Sequence, residues 1–264
     1  MISNIYLFYL LFLMVTLCKA IPNKITKCHY GDEKCIIDSM NYVIKHYPKG
    51  IPEIGLKPID VVDIGDARLL ETDQSAPIWM RVKLTKQVNY GFENTTITKV
   101  EGFEKDPTTT HLTISGRIPS LVHKGLFHAT GHIGFLTMNL TGESTSEFQN
   151  LRFTLKLKGT TEFRKNKRYL KIYELVPSVQ IDRWILWMED LFKENSDLTI
   201  FINRIFNKHW LEVWNEWELP ILDTFAGVFL GMIKDIFDRI SYDDLFLPGL
   251  DRNKALKVTK QPVL

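Results

Sequence analysis

The sequence predicts an α+β fold: a long C-terminal α-helix wrapped by a highly curved antiparallel β-sheet, with a short helix at the N-terminus. Three patterns carry this. Apolar and polar residues alternate from residue 76 to about 176, the period of a sheet with one dry face. From Ser196 to about Ile240 the apolar period becomes 3.6, over a length on the order of 60 Å that exceeds the diameter of a compact domain. A shorter helical pattern precedes both. A sheet dry on one side and a long apolar helix each need cover, so the sheet is expected to curl round the helix and enclose an elongated dry interior.

The chain opens with an apolar run from Ile5 to Leu17, followed by Cys18 and Ala20. Small residues at −3 and −1 of a cleavage after Ala20 mark residues 1–20 as a secretory signal peptide. The run has 13 residues, short of the roughly 20 that span a bilayer. No later segment reaches 18 uninterrupted apolar residues, so no stable membrane insertion is expected. Cleavage leaves 244 of the 264 residues, read as one domain over 21–250 and a polar basic tail over 251–264. It also removes Cys18, leaving Cys28 and Cys35. Two cysteines in a secreted chain pair, and a disulfide is expected. They are too widely spaced for a CxxC redox motif, and no second Cys/His pair lies near enough to complete a zinc site. Asn94-Thr95-Thr96 and Asn139-Leu140-Thr141 are sequons that fit secretion, with Asn94 and Asn139 as glycan acceptors.

Ile36, Met40, Val43, Ile44 and Tyr47 fall at helical spacings, and Pro48 and Gly50 end that run. Pro52 and Pro58 forbid a helix in residues 50–65, which lead extended into a first strand. Ile78, Met80, Val82 and Leu84 alternate with Trp79, Arg81, Lys83 and Thr85. Leu151, Phe153, Leu155 and Leu157 alternate with Arg152, Thr154, Lys156 and Lys158. Gly or Asn at Tyr90-Gly91, Gly116, Gly142 and Lys165-Asn166 reads as the turns of a meander. Asn195 to Asp197 caps the last helix, expected to run in one piece to about Ile240 with a kink at Pro220.

Catalytic signatures are absent: the sequence holds no GxSxG, HExxH, Walker A or GxGxxG, so neither an enzyme nor a cofactor is expected. His123, His128 and His132 cluster, but on a strand four residues span roughly 13 Å, too far for one metal. Asp243-Asp244 reads as a solvated terminal turn. Net charge is +2, and removing Lys19 leaves 32 basic against 31 acidic side chains. Nothing there calls for a nucleic-acid partner. Trp210, Trp214 and Trp217 stand on one helical face, extended by Phe206 and Phe225. Such a stripe is core packing, or the wall of a ligand cavity if the core is hollow. Trp79, Phe135, Trp210, Trp214, Trp217, Phe225 and Phe229 are the candidate tunnel residues.

In order and spacing, several segments resemble the insect takeout / haemolymph juvenile hormone-binding protein family. They are Cys28…Cys35, GIPEIGLKPIDVVDI, NYGFENTTITKVEGF, HLTISGRIPSL, NLRFTLKLKG, RYLKIYELVPSVQID and the stretch from INRIFNKHW to SYDDLF. The resemblance implies a long helix in a curved antiparallel sheet, related to the tubular lipid-binding proteins. It implies a secreted carrier with an apolar tunnel for juvenile hormone or other lipophilic ligands, and no enzyme. It makes Cys28–Cys35 the family's N-terminal disulfide. The hormone carrier's second cysteine pair is missing, which puts the chain nearer the takeout branch.

The function expected is therefore that of a secreted, monomeric carrier in an extracellular fluid such as haemolymph. Its partner is a small apolar ligand: a juvenile hormone-like terpenoid, a fatty acid or similar. The alternative is a secreted interaction protein with a vestigial cavity, whose partner is a cell-surface receptor. A lipid-ester hydrolase lacks a nucleophile with its base.

Overall fold

Two strands far longer than average organise the molecule. β4 spans Leu112–Ile133, and β5 spans Leu136–Arg164 with 29 residues. Straight, β5 would reach about 95 Å, so it must bend, and it changes partners along its length. The computed structural model describes residues 21–71, 78–108, 111–133, 136–193 and 195–248. The expected signal peptide, the basic tail and Phe135 lie outside the described residues.

The other strands are β1 (Val61–Glu71), β2 (Ile78–Tyr90), β3 (Thr96–Glu101), β6 (Lys167–Gln180) and β7 (Arg183–Met188). Among the described residues they form one antiparallel sheet of seven strands, ordered β1-β2-β4-β5-β6. β3 pairs with the start of β4, and β7 with the first half of β5. β5 passes from β7 to β6 at Asn150, which sits at φ 51. Its side chain ties Arg117 to Asp182 across the bend. Lys165 and Asn166, at φ 50 and 62, make the two-residue hairpin turn that the sequence predicts between β5 and β6.

Gly116 and Gly142 correct the expected turns, because both lie inside the long strands. A Cβ on Gly116 would stand 2.6 Å from Phe153, its partner across the ladder. One on Gly142 would collide with the Glu189 carbonyl oxygen and stand 2.8 Å from the ring of Phe127, also its partner. Here glycine makes room for neighbouring backbone and for an aromatic ring lying over the adjacent strand, a requirement of the sheet rather than of the local chain.

The helices are α1 (Glu33–His46), α2 (Ser196–Lys208) and α3 (Trp210–Arg239). The expected single helix is thus two, and the break falls at His209. The helix continues through Pro220. The cause lies in β7. Its free edge is completed by two asparagines one turn apart on α2. Asn203 accepts from Met188 N (2.9 Å) and donates to Met188 O (2.8 Å). Asn207 does the same at Leu186, at 3.0 and 2.6 Å. Four helical residues rise about 6.0 Å and two strand residues about 6.6 Å, so the spacings match. α2 therefore lies along the sheet edge, whereas α3 packs on β1, β6 and β7. One straight helix cannot do both.

At the other end, the Cys28–Cys35 disulfide stands beside the Asp32 cap of α1. Leu247 N donates to Cys28 O at 2.8 Å, so the returning C-terminal segment docks on the stapled loop. Asp243, expected in a solvated turn, anchors that segment instead. It accepts from Arg168 Nε at 3.1 Å and from Tyr30 Oη at 2.8 Å. The Arg168 guanidinium holds its carboxyl below the usual carboxylate range.

The asparagine ladder is testable. Asn203 is fully buried, so Asn203→Ala leaves both Met188 backbone groups unpaired. The expected loss is about 2–3 kcal/mol in urea unfolding. A change under about 0.5 kcal/mol would show that water replaces the ladder at no cost.

Candidate functional site

Three apolar cavities lie in sequence along α3. The central one, about 220 Å³, is walled by α3 residues from Trp214 to Ile236 and by Leu121, Phe148 and Phe153 of the sheet. A smaller chamber of about 50 Å³ adjoins it and shares Phe148, Ile221 and Phe225 as walls. A third, about 260 Å³, lies toward the disulfide and shares Ile233 and Ile236 with the central cavity. No Lys, Arg, Asp or Glu lines any of the three.

The strands supply this wall because their inward residues are one side of a period-two pattern. Leu121, Phe127, Phe148, Leu151 and Leu157 are buried, while Arg117, Arg152 and Lys156 are exposed. Of the candidate tunnel residues, Trp214, Phe225 and Phe229 line the central cavity, and Trp217 and Phe225 line the small chamber. Trp210 packs on the same core, under the Arg183 guanidinium at 5.6 Å, and is on none of these walls. Trp79 sits at the end of the sheet with its ring 5.9 Å from that of His132, also off these walls. Asn94 and Asn139 are exposed.

Several wall residues were not singled out from the sequence. Trp184 is the clearest. Its ring stacks on Phe148 at 5.8 Å and meets Trp214 and Trp217 edge-on at 5.8 and 5.9 Å. A signal existed: in RWILWM the buried Trp184, Leu186 and Met188 alternate with exposed Ile185 and Trp187. The strand has only six residues, too short to stand out by itself.

The small chamber carries a polar inner face built from neighbouring strands. Ladder pairing sets Asn89 beside His123 and His123 beside Ser146. In the next row Gln87 reaches over Gly125, whose partner is Ser144. His123, Ser144, Ser146 and Trp184 line the chamber. His123 Nδ1 bonds Asn89 Oδ1. Donation from Nδ1–H leaves Nε2 as a bare acceptor. Gln87 Oε1, Asn89 Nδ2 and Trp184 Nε1 are buried without a partner. Among the described residues no group of His, Cys, Asp and Glu is placed to hold a metal ion, and His123, His128 and His132 remain spread along β4. No helix there is long and apolar enough to cross a membrane.

Burial pushes the His123 imidazole down to about 4, so it is neutral at neutral pH. Below its ordinary value of 6.5 the unfolded chain takes up a proton that the folded chain refuses until about pH 4. Stability is therefore full above pH 6.5, falls between 6.5 and 4, and levels off below, for a loss of up to about 3 kcal/mol. Paired carboxylates such as Asp60 and Asp243, held below 3.8, act at lower pH. Urea midpoints across pH 7.5–4 should show this slope, and His123→Phe should flatten it. An unchanged slope in the variant would assign it to other groups.

The chain is 20% identical to the circadian clock-controlled protein daywake of Drosophila yakuba, over 228 residues covering 85% of this chain and 88% of the relative. Its fold is that of Takeout 1 from Epiphyas postvittana, with a TM-score of 0.69 at 19% identity, covering 83% of this chain and 97% of that one. The sequence pattern described as haemolymph juvenile hormone binding protein (JHBP) matches residues 7–247. That match takes in every strand and helix of the sheet-and-helix body, and the chain belongs to the haemolymph juvenile hormone binding protein family.

Proposed function

We propose that this protein is a secreted carrier that binds one elongated lipophilic molecule in a continuous tunnel formed by the three cavities along α3. The observation that carries the reading is the wall. Three adjoining spaces share side chains and no charged group lines them. Paired cysteines and exposed sequons support an extracellular life. Relatives described as a juvenile hormone binding family and as Takeout 1 support a small apolar ligand, such as a terpenoid or fatty chain.

Burial supplies the affinity. Each CH₂ moved from water gains roughly 0.8 kcal/mol, so a chain of fifteen carbons gains about 12. An association cost of about 4 kcal/mol leaves about 8, a micromolar affinity. The tryptophans along the walls make their fluorescence the natural readout.

Protein purified without detergent should release an apolar small molecule on solvent extraction, detectable by mass spectrometry. Delipidated protein should bind C12–C18 chains saturably. Ile221 stands where the central cavity meets the small chamber. Ile221→Trp should weaken long-chain binding at least tenfold while leaving circular dichroism unchanged. No extractable molecule and no saturable binding would sink the carrier reading.

Asn94 and Asn139 are the proposed glycan sites. Secretion from insect cells should give a mass excess removed in two steps by Asn94→Gln and Asn139→Gln. A native mass equal to the bare chain from residue 21 would refute glycosylation while leaving cleavage intact.

A further inference from the structure

Resting on the carrier reading and deepening it, we propose that the small chamber walled by His123, Ser144, Ser146 and Trp184 reads the polar end of the ligand, and that this end is an uncharged hydroxyl. The tail then lies in the central cavity, which shares Phe148, Ile221 and Phe225 with the chamber.

The first ground is the placement of unpaired polar atoms. Buried polar groups are nearly always hydrogen-bonded, and each orphan costs about 1–3 kcal/mol. Here three occur together. Trp184, a wall residue of the chamber, is 3% exposed, and its indole N–H has no partner. Gln87 and Asn89, both 0% exposed, stand in the two rows behind His123 and Gly125, and each keeps one unpaired amide atom. Leu121 and Phe127 flank these rows along β4, and Phe148 follows along β5, all of them apolar and buried. The polar rows interrupt a wall that is otherwise oily. An empty or purely hydrocarbon-filled chamber leaves that interruption as a net loss.

The second ground is charge. No Lys or Arg reaches any of the three cavities, and His123 is neutral at neutral pH. A carboxylate placed here would be desolvated without a counter-ion, which costs several kcal/mol. A charged head group is therefore refused.

The third ground is the donor and acceptor inventory. Trp184 Nε1–H only donates, and His123 Nε2 only accepts when Nδ1–H is committed to Asn89. Ser144 and Ser146 do either. An ester, ether or epoxide oxygen only accepts, so it meets the indole and leaves the imidazole unmet. A hydroxyl accepts from one wall and donates to another. The chamber's volume of about 50 Å³ suits a group of that size and excludes a ring.

The test uses delipidated full chain and three probes of one length: dodecan-1-ol, dodecyl methyl ether and dodecanoate at pH 7.4. Each competes against a fluorescent long-chain probe. The alcohol should bind about tenfold tighter than the ether and than the carboxylate. Ser146→Ala should bring the alcohol down toward the ether while leaving the ether's affinity unchanged, and Trp184→Phe should weaken the alcohol and the ether alike. Equal affinities for alcohol, ether and carboxylate in the wild type would overturn this inference and leave the carrier reading standing. Binding of none of the three would overturn both. If a variant fails to fold, the wild-type series alone decides.

Discussion

α3 touches both ends of the sheet order, β1 on one side and β6 on the other. Every other feature depends on this contact. A sheet whose two outer strands meet the same helix has to curl round it, and the dry faces of β4 and β5 then have nowhere to go but inward. The helix is about 45 Å long at 1.5 Å per residue, long enough to line a cavity rather than plug a point. The buried residues accordingly form two large clusters along it, one around Trp214 and Ile221 and one around Phe237 and Tyr242.

A curved sheet and a straight helix do not fit without gaps. The sheet's bulges, the left-handed Asn150 and the glycines under Phe127 and Phe153 all serve its curvature. Large aromatic side chains fill part of the mismatch, and the remainder is cavity. The ends are then held by polar devices. Asn203 and Asn207 finish the β7 edge, which would otherwise offer open backbone groups to another chain. Arg168, Asp243 and Tyr30 seat the C-terminal segment on the disulfide-bonded loop. Polar groups thus appear where the container is fastened, and again in the rows around His123.

Much of this was legible in the chain. Alternation in residues 151–158 identified the inner and outer faces of β5, and the 3.6 period identified α3. The disulfide followed from counting cysteines in a chain read as secreted. The misreadings share one cause. Gly116 and Gly142 look like turns because glycine is a local signal, yet their role is to let backbone and a ring from neighbouring segments come close. One continuous helix was expected, kinked at Pro220, the residue that disfavours a helix locally; it is instead broken at His209, where the pairing of α2 with β7 forces a change of direction. Asp243 looked solvated because Arg168 is 75 residues away.

Periodicity, cysteine parity and turn chemistry are properties of neighbouring residues, so the chain by itself determined the elements, their dry faces and the α+β class. The tryptophan stripe marks the limit of that reasoning. Trp210, Trp214 and Trp217 share one face, yet of the three only Trp214 and Trp217 border the cavities along α3, and Trp184 joins them from a strand far off in sequence. Whether an apolar interior is filled or hollow depends on how side chains from several strands and one helix fit together. Whether a buried histidine is neutral depends on which of them surround it. Those are sums over contacts distant along the chain, and only the tertiary structure decided them.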